Sequence, residues 1–175
     1  MTLLTVGHGR LDRASFGELL TGAGVDLLVD VRRFPGSRTN QDTRREALTG
    51  WLPELGIEYR WEERLGGRRH LPAGEPDLDR WWTVPAFRAY AAHTRTAEFG
   101  LALAEVISQC ESRSVAVMCS ESVWWRCHRR LIADVAVLAR DCVVRHLMPG
   151  GRLAEHRVAE GARLQADGKV VWDAG

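Results

Sequence analysis

The sequence predicts a single three-layer, Rossmann-like α/β domain built on a mainly parallel central sheet of about five strands. Three observations lead there. Short apolar runs alternate with segments of helical periodicity, as in successive βαβ units. One of these runs, "DLLVDV" (26–31), is almost continuously apolar, as a strand covered on both faces should be. A chain of 175 residues with 45% hydrophobic content fills one core and leaves too little for two. The domain is therefore expected to span 1–175, with a long loop at about 62–82 and a short C-terminal extension from about 150.

"LLTV" (3–6) reads as the first strand. A helix follows, with Phe16, Leu19 and Leu20 on one face, Asp12 or Ser15 as N-cap, and Gly22 and Gly24 ending the turn. After the second strand at 26–31, a helix is expected over "TRREALTGWLPEL", with Ala47, Leu48, Trp51, Leu52 and Leu55 facing inward and Pro53 limiting its regularity. "IEYRW" (57–61) is the third strand. "LGGRRHLPAGEPDLDRWW" is rich in Gly, Pro and charge and has no period, so it is a loop, and loops this long are usually functional or mobile. Thr83 is placed to cap a helix through "VPAFRAYAAH", with Pro85 in its first turn. Thr96 caps another, with Phe99, Leu103, Val106 and Ile107 as its apolar stripe. "SVAVMC" (114–119) is the fourth strand, "CHRRLIADVAVLAR" the next helix and "CVVRHLM" (142–148) the fifth strand.

Net charge is +1, which argues against a global electrostatic footprint for nucleic acid or anionic membrane, although local arginine clusters are not excluded. Apolar runs stop far short of a membrane span. The first residues, "MTLLTVGHGR", lack the basic segment and extended apolar run of a signal peptide. Four cysteines without a CxxC pair, in a chain with ample core, fit a reduced, cytoplasmic setting.

The polar residues are informative by position. His8 follows the first strand, Asp30, Arg32 and Arg33 end the second, and Cys119 with Glu121 ends the fourth. In an open parallel sheet these carboxyl ends share one edge, where ligands bind and the following helices direct their N-termini. His8, Arg32 and Glu121 should then meet at a common rim.

"TVGHGR", "LLVDVRRFPGSR", "LGGRR", "FRAY" and "AVMCSESVWWRCHRRLIAD" occur in the order of the recurring motifs of the domain of unknown function 488 (DUF488) family, which the chain resembles from about residue 3 to about 156. The most specific pieces are Asp30 to Ser37, and Cys119 and Glu121 followed by Cys127, His128 and Arg129. Gly9 stands where the family usually has serine, and "SVWW" fills a loop that is normally more polar. The resemblance implies a fold and a set of site positions, and no established reaction.

Cys119, Glu121 and His128 are the candidate catalytic groups of a hydrolase or transferase. A helix N-terminus, Arg126, Arg129 or a protonated His128 would lower the Cys119 thiol, whereas Glu121 would raise it; a buried inert cysteine is the alternative. Glu121 is either a general base or a structural acid that positions arginines. His128 and Arg129 place cations at the positive end of a helix, which calls for a compensating anion, either Glu121 or a bound phosphate or carboxylate. Arg32, Arg33 and Arg38 flank the turn at Pro35 and Gly36. With His8, Asp30, Ser37, Arg126, Cys127 and Arg129 they make the candidate binding set. No metal is expected, because Cys127 and His128 diverge by about 100° on a helix and no pair of ligands shares a face. The sequence leaves the cofactor unknown.

Trp81, Trp82, Trp124 and Trp125 either stack nucleobases or pack the core and a lid. Six residues separate Cys119 from Arg126, so the C-x5-R phosphatase loop does not fit, and the loop is unlike the short rhodanese one. The sequence thus points to an enzyme-like cleft for an anionic small molecule, a nucleotide or a nucleic-acid end. A non-catalytic module, or a nucleic-acid binder using Arg68, Arg69 and the 32–38 loop, is the alternative.

Overall fold

The computed structural model describes residues 1–71, 73–74 and 76–173. Five strands run parallel: β1 (Thr2–Gly7), β2 (Leu27–Asp30), β3 (Glu58–Trp61), β4 (Val115–Cys119) and β5 (Val143–Leu147). These are the five expected strands. The tail adds β6 (Leu153–Glu155), antiparallel to β5, so the sheet has six strands in the order β3-β2-β4-β1-β5-β6. Beyond it, β7 (Ala162–Leu164) and β8 (Val170–Trp172) form a separate antiparallel pair.

Two helical layers cover the sheet, giving the three-layer, Rossmann-like arrangement. Helix α1 (Arg13–Gly22) and helix α2 (Arg45–Trp51) pack Phe16, Leu20, Leu48 and Trp51 against Leu4, Val6, Leu28, Ala116 and Met118. On the other face α3 (Pro85–Thr94), α4 (Ala97–Gln109) and α5 (Arg129–Arg140) pack Tyr90, Phe99, Leu103, Leu131 and Val135 against Leu3, Val29, Val115, Val117 and Val144. Both faces are dry, which is why β2 and β4 are buried at every position. Each fully buried large aliphatic contributes on the order of 1.5–3 kcal/mol of transfer free energy. Strand alternation also sorts polar residues: Leu3 and Thr5 on β1, and Val144 and His146 on β5, face the α5 layer.

Caps follow the sequence in part. Asp12 accepts from Ser15 N (2.8 Å) and Thr96 from Phe99 N (3.2 Å). Thr83 caps nothing; Val84 precedes α3 and Pro85 opens it, its fixed φ replacing a side-chain cap. The α2 segment narrows to a 3₁₀ turn at Leu52–Leu55, where Pro53 removes a donor. Cys127 and His128 precede α5, which begins at Arg129. Among the described residues no helix is long and apolar enough to cross a membrane.

Candidate functional site

The register of the sheet places the site. Gly7 pairs with Cys119 and Asp30 with Met118, so β1, β2 and β4 end at one level. Beyond the strands the main chain stays zipped: His8 N donates to Cys119 O (3.1 Å), Gly9 N to Ser120 O (3.1 Å) and Val31 N to Met118 O (2.9 Å). Gly9 has φ +53, and a Cβ there would run into the Ser122 hydroxyl, so the departure from serine at this position suits the local packing.

A cleft of about 190 Å³ opens at this edge, lined by His8, Arg32, Arg33, Phe34, Gly36, Ser37, Gly67, Arg68, Cys119, Ser120, Cys127 and His128. Seven of the sequence-selected residues are therefore in its wall: His8, Arg32, Arg33, Ser37, Cys119, Cys127 and His128. Asp30 and Arg129 lie buried directly behind. Arg38 and Arg126 are exposed and outside it. Glu121 joins the site through its main chain: its carbonyl accepts from the Arg129 guanidinium, while its carboxylate does not line the cleft and has no hydrogen-bond partner among the described residues.

One wall is a buried ion pair. Arg32 donates to Asp30 through Nε (2.8 Å) and Nη2 (2.6 Å), a bidentate fork, and also to Thr43 O (2.8 Å). Tyr59 completes the carboxylate by donating to Asp30 Oδ2 (2.8 Å). Arg32 Nη1 then donates to His8 Nε2 (3.2 Å), and His8 Nδ1 donates to Gly9 O (3.0 Å). Burial, followed by the Arg32 charge, pulls the His8 imidazole down to about 4, so it is neutral and both its nitrogens are engaged.

The opposite wall is a thiol pair. Cys119 Sγ and Cys127 Sγ stand 2.9 Å apart, and Arg129 Nε donates to both, at 3.0 Å and 3.2 Å. The Arg129 main-chain N–H also points at Cys127 Sγ (3.4 Å). Burial raises the Cys119 thiol well above its usual range, reinforced by the hydrogen bond and charge of Cys127. Burial would raise Cys127 as well, but the Cys119 S–H, the Arg129 guanidinium, His128 and the Arg129 N–H outweigh it and hold Cys127 well below its usual range. The two sulfurs, in contact and sharing the Arg129 donor, favour one proton between them, with Cys127 the more readily ionised. Cys119 is 2% exposed, whereas Cys127 is part-exposed in the cleft. A Cys127 thiolate would supply the anion that the cationic start of α5 calls for.

His128 bridges the walls. Its Nε2–H donates to Val31 O (2.8 Å), which fixes the tautomer and leaves the Nδ1 lone pair toward Gly67. A Cβ on Gly67 would sit 2.9 Å from Nδ1, and one on Gly66 2.8 Å from Arg33 Cα, so only glycines let the 66–68 loop close over both. That loop carries Arg68 in a left-handed conformation, φ +56, at the cleft. Among the described residues neither Arg33 nor Arg68 has an acidic partner at ion-pair distance. With Arg32 matched by Asp30 and Arg129 by the thiolate, these two leave the mouth positive.

Sequence reasoning passed over Phe34, Gly67 and Ser120, and held Arg68 apart from the site; the "LGGRR" motif was the signal for Gly67 and Arg68. The tryptophans are largely used in packing. Trp82 is 4% exposed beside Phe87 and Trp172, and Trp124 stacks on His146 at 4.1 Å; Trp125 is exposed. Arg69 is tied to the carbonyls of Glu63, Arg64 and Gly66. Among the described residues no three His, Cys, Asp or Glu side chains group closely enough to hold a metal ion.

Neither a curated protein nor a solved structure matches the chain. A family match does exist, to "Domain of unknown function DUF488", over residues 12–136. It begins after the first motif and ends inside α5, and it covers more than two thirds of the 175 residues. The chain belongs to the DUF488 family.

Proposed function

We propose that this domain binds a small anionic substrate at the carboxyl edge of its sheet and attacks it with the Cys127 thiolate, as a transferase or hydrolase. The observation that carries this is a part-exposed sulfur that accepts from a buried arginine, in a cleft whose wall bears two arginines without an acidic partner among the described residues. Arg33, Arg68 and the Ser37 hydroxyl would hold the anion. The Cys127 sulfur would form a bond to the electrophilic centre, and the leaving group would depart with its electron pair. In the second half an acceptor hydroxyl or thiol would break that bond, giving its proton to His128 Nδ1 and restoring the thiolate. Cys119, the more buried of the two at 2% exposed, would hold the proton that keeps its neighbour ionised. A cleft of about 190 Å³ suits a phosphate-sized group with a small body better than a strand of nucleic acid. Four unpaired cysteines fit a reducing, cytoplasmic setting.

The separation of 2.9 Å between the sulfurs favours a second reading, dithiol reduction of a disulfide-like substrate. Cys127 would take one substrate sulfur and release the other as a thiolate. Cys119 would then displace the bound thiol, leaving a protein disulfide to be reset by an external thiol.

Alkylation with iodoacetamide at pH 6–7, mapped by mass spectrometry, tests both. Cys127 is expected to react at least about tenfold faster than Cys110 and Cys142 and to be protected by phosphorylated metabolites or nucleotides. Equal sluggishness at all four cysteines would retire the thiol chemistry. Fast reaction without protection by any anion would remove the anionic substrate. Protection without turnover of any compound would leave a binding module. Loss of two hydrogens during turnover would select the dithiol reading.

A further inference from the structure

We infer that the C-terminal segment belongs to the thiol site: Asp134, His156, His146 and Thr5 form a one-way chain of hydrogen bonds that ends on Arg129 and positions its guanidinium against Cys119 and Cys127. The inference rests on the reading of Cys127 as the ionised nucleophile, and it adds Thr5, Asp134, His146 and His156, none of them among the candidate site residues of the sequence.

The chain is continuous and buried. Arg129 Nη1 donates to Thr5 Oγ1 (3.3 Å), and Thr5 Oγ1 lies 2.7 Å from His146 Nδ1. His146 Nε2 is 3.0 Å from His156 Nδ1, and His156 Nε2 is 2.8 Å from Asp134 Oδ1. Thr5, His146 and Asp134 are 0% exposed and His156 8%. The directions follow from the two ends. A guanidinium only donates and a carboxylate only accepts, so with both imidazoles neutral every hydrogen points from Arg129 toward Asp134. Thr5 accepts from Arg129 and donates to His146 Nδ1; each imidazole accepts on Nδ1 and donates from Nε2. No link is frustrated. Burial above all pulls His146 down to about 3, which keeps it neutral as this pattern requires.

The far end is fixed by the C-terminal segment. Trp172 Nε1 donates to Asp134 Oδ2 (2.8 Å) and Ala159 N to Oδ1 (3.1 Å). Trp124, from the loop between Cys119 and Cys127, stacks on His146 with an interplanar angle of 5° and meets His156 edge-on. Thr5, His146, His156 and Trp172 all fall outside residues 12–136, so the portion matched to the family lacks most of the chain.

Because a guanidinium keeps its protons, the chain does not conduct protons from the thiols; it orients Arg129 and links it to a distant negative charge. The titratable neighbours of the thiol pair are otherwise Tyr90 of α3 and His128 before α5, and His8 and Arg32 line the same cleft. None of these bonds to Arg129, so Thr5 is the link by which the chain reaches it.

Thr5→Val, near-isosteric but unable to bond, breaks the chain at that link, and Thr5→Ser retains it. The readout is the pH dependence of Cys127 alkylation, with thermal unfolding measured alongside. Thr5→Val is expected to move the midpoint up by about one pH unit, a roughly tenfold slower reaction below it, with Thr5→Ser close to the native protein. If Thr5→Val does not fold, Trp172→Phe decides, with a shift in the same direction of roughly threefold in rate. A variant that melts earlier but keeps the native pH profile would overturn the chain's role and leave the thiol reading standing. A native protein in which Cys127 titrates like an ordinary thiol would overturn both.

Discussion

Arg32 and Arg129 flank the same cleft, 6% and 1% exposed, and are neutralised in opposite ways. Arg32 has a carboxylate two residues away in sequence, gripped through a bidentate fork. Among the described residues Arg129 has no carboxylate at ion-pair distance; its donors meet two sulfurs, a hydroxyl and a carbonyl. A buried guanidinium without an anion is costly, so one sulfur must carry charge. The first arginine is a structural pair with a permanent anion. On the proposed reading the second makes an anion out of a thiol, which would be the difference between a wall and a reactive group.

The largest effect should come from removing that anion. Cys127→Ala alone leaves Cys119 able to ionise in its place, and Cys119→Ala leaves Cys127, so each is expected to lower stability by about 1–2 kcal/mol. The double variant strands Arg129 and should cost about 3–5 kcal/mol, more than the singles together. Adding Arg129→Met to the double variant should recover most of that loss, and urea unfolding measures all four. A strictly additive double variant would mean that neither sulfur is charged and that the contrast with Arg32 is wrong.

The meeting of His8, Arg32, Cys119, Cys127 and His128 was legible because a parallel sheet aligns strand ends whatever their separation along the chain. The inward turn of Arg129 was not: helix position is periodic in sequence, but the direction of a long side chain at a helix start depends on what lies beneath it. What lies beneath is Thr5 and His146, polar residues on faces that alternation marks as internal. Asp134 gave a signal too. It sits three residues after Leu131 and four before Leu138, within the apolar stripe of α5, where an acid needs a buried partner. Its partner, His156, lies in the irregular tail beyond any period. β6 to β8 were hidden for the same reason, since strands of three residues give too few alternations to read.

Acid should separate the two walls by a smaller margin. His8, on the Arg32 side, is held to about 4, and His146, behind Arg129, to about 3. Both folded values lie below the unfolded value, so the unfolded chain takes up protons first. Their contribution to stability is complete above about pH 6.5 and is lost as the pH falls, at up to about 1.4 kcal/mol per unit for each histidine. His8→Asn should therefore reduce the slope between pH 6.5 and 4, while the decline below pH 4 continues through His146. Protonation of the Cys127 thiolate acts in the same direction, because its folded value is also depressed. Urea unfolding at pH 7, 6, 5 and 4 measures the slope, and a flat profile would show that the imidazoles are not held neutral.

Glu121 should matter least, although its place in the Cys-x-Glu motif makes it the most conspicuous acid in the chain. The residue reaches Arg129 through its carbonyl, and a substitution of the side chain leaves that carbonyl in place. Its carboxylate is part-exposed, outside the cleft and without a hydrogen-bond partner among the described residues. Glu121→Gln is therefore expected to change stability by less than about 0.5 kcal/mol and to leave the rate and pH profile of Cys127 alkylation unchanged. Its Arg32-side counterpart, Asp30→Asn, removes a carboxylate that a buried guanidinium needs and should cost about 3–5 kcal/mol. A Glu121→Gln protein that folds normally but loses thiol reactivity would place the carboxylate in the reaction itself, and would mean that the arginine at the thiol wall relies on an acid after all.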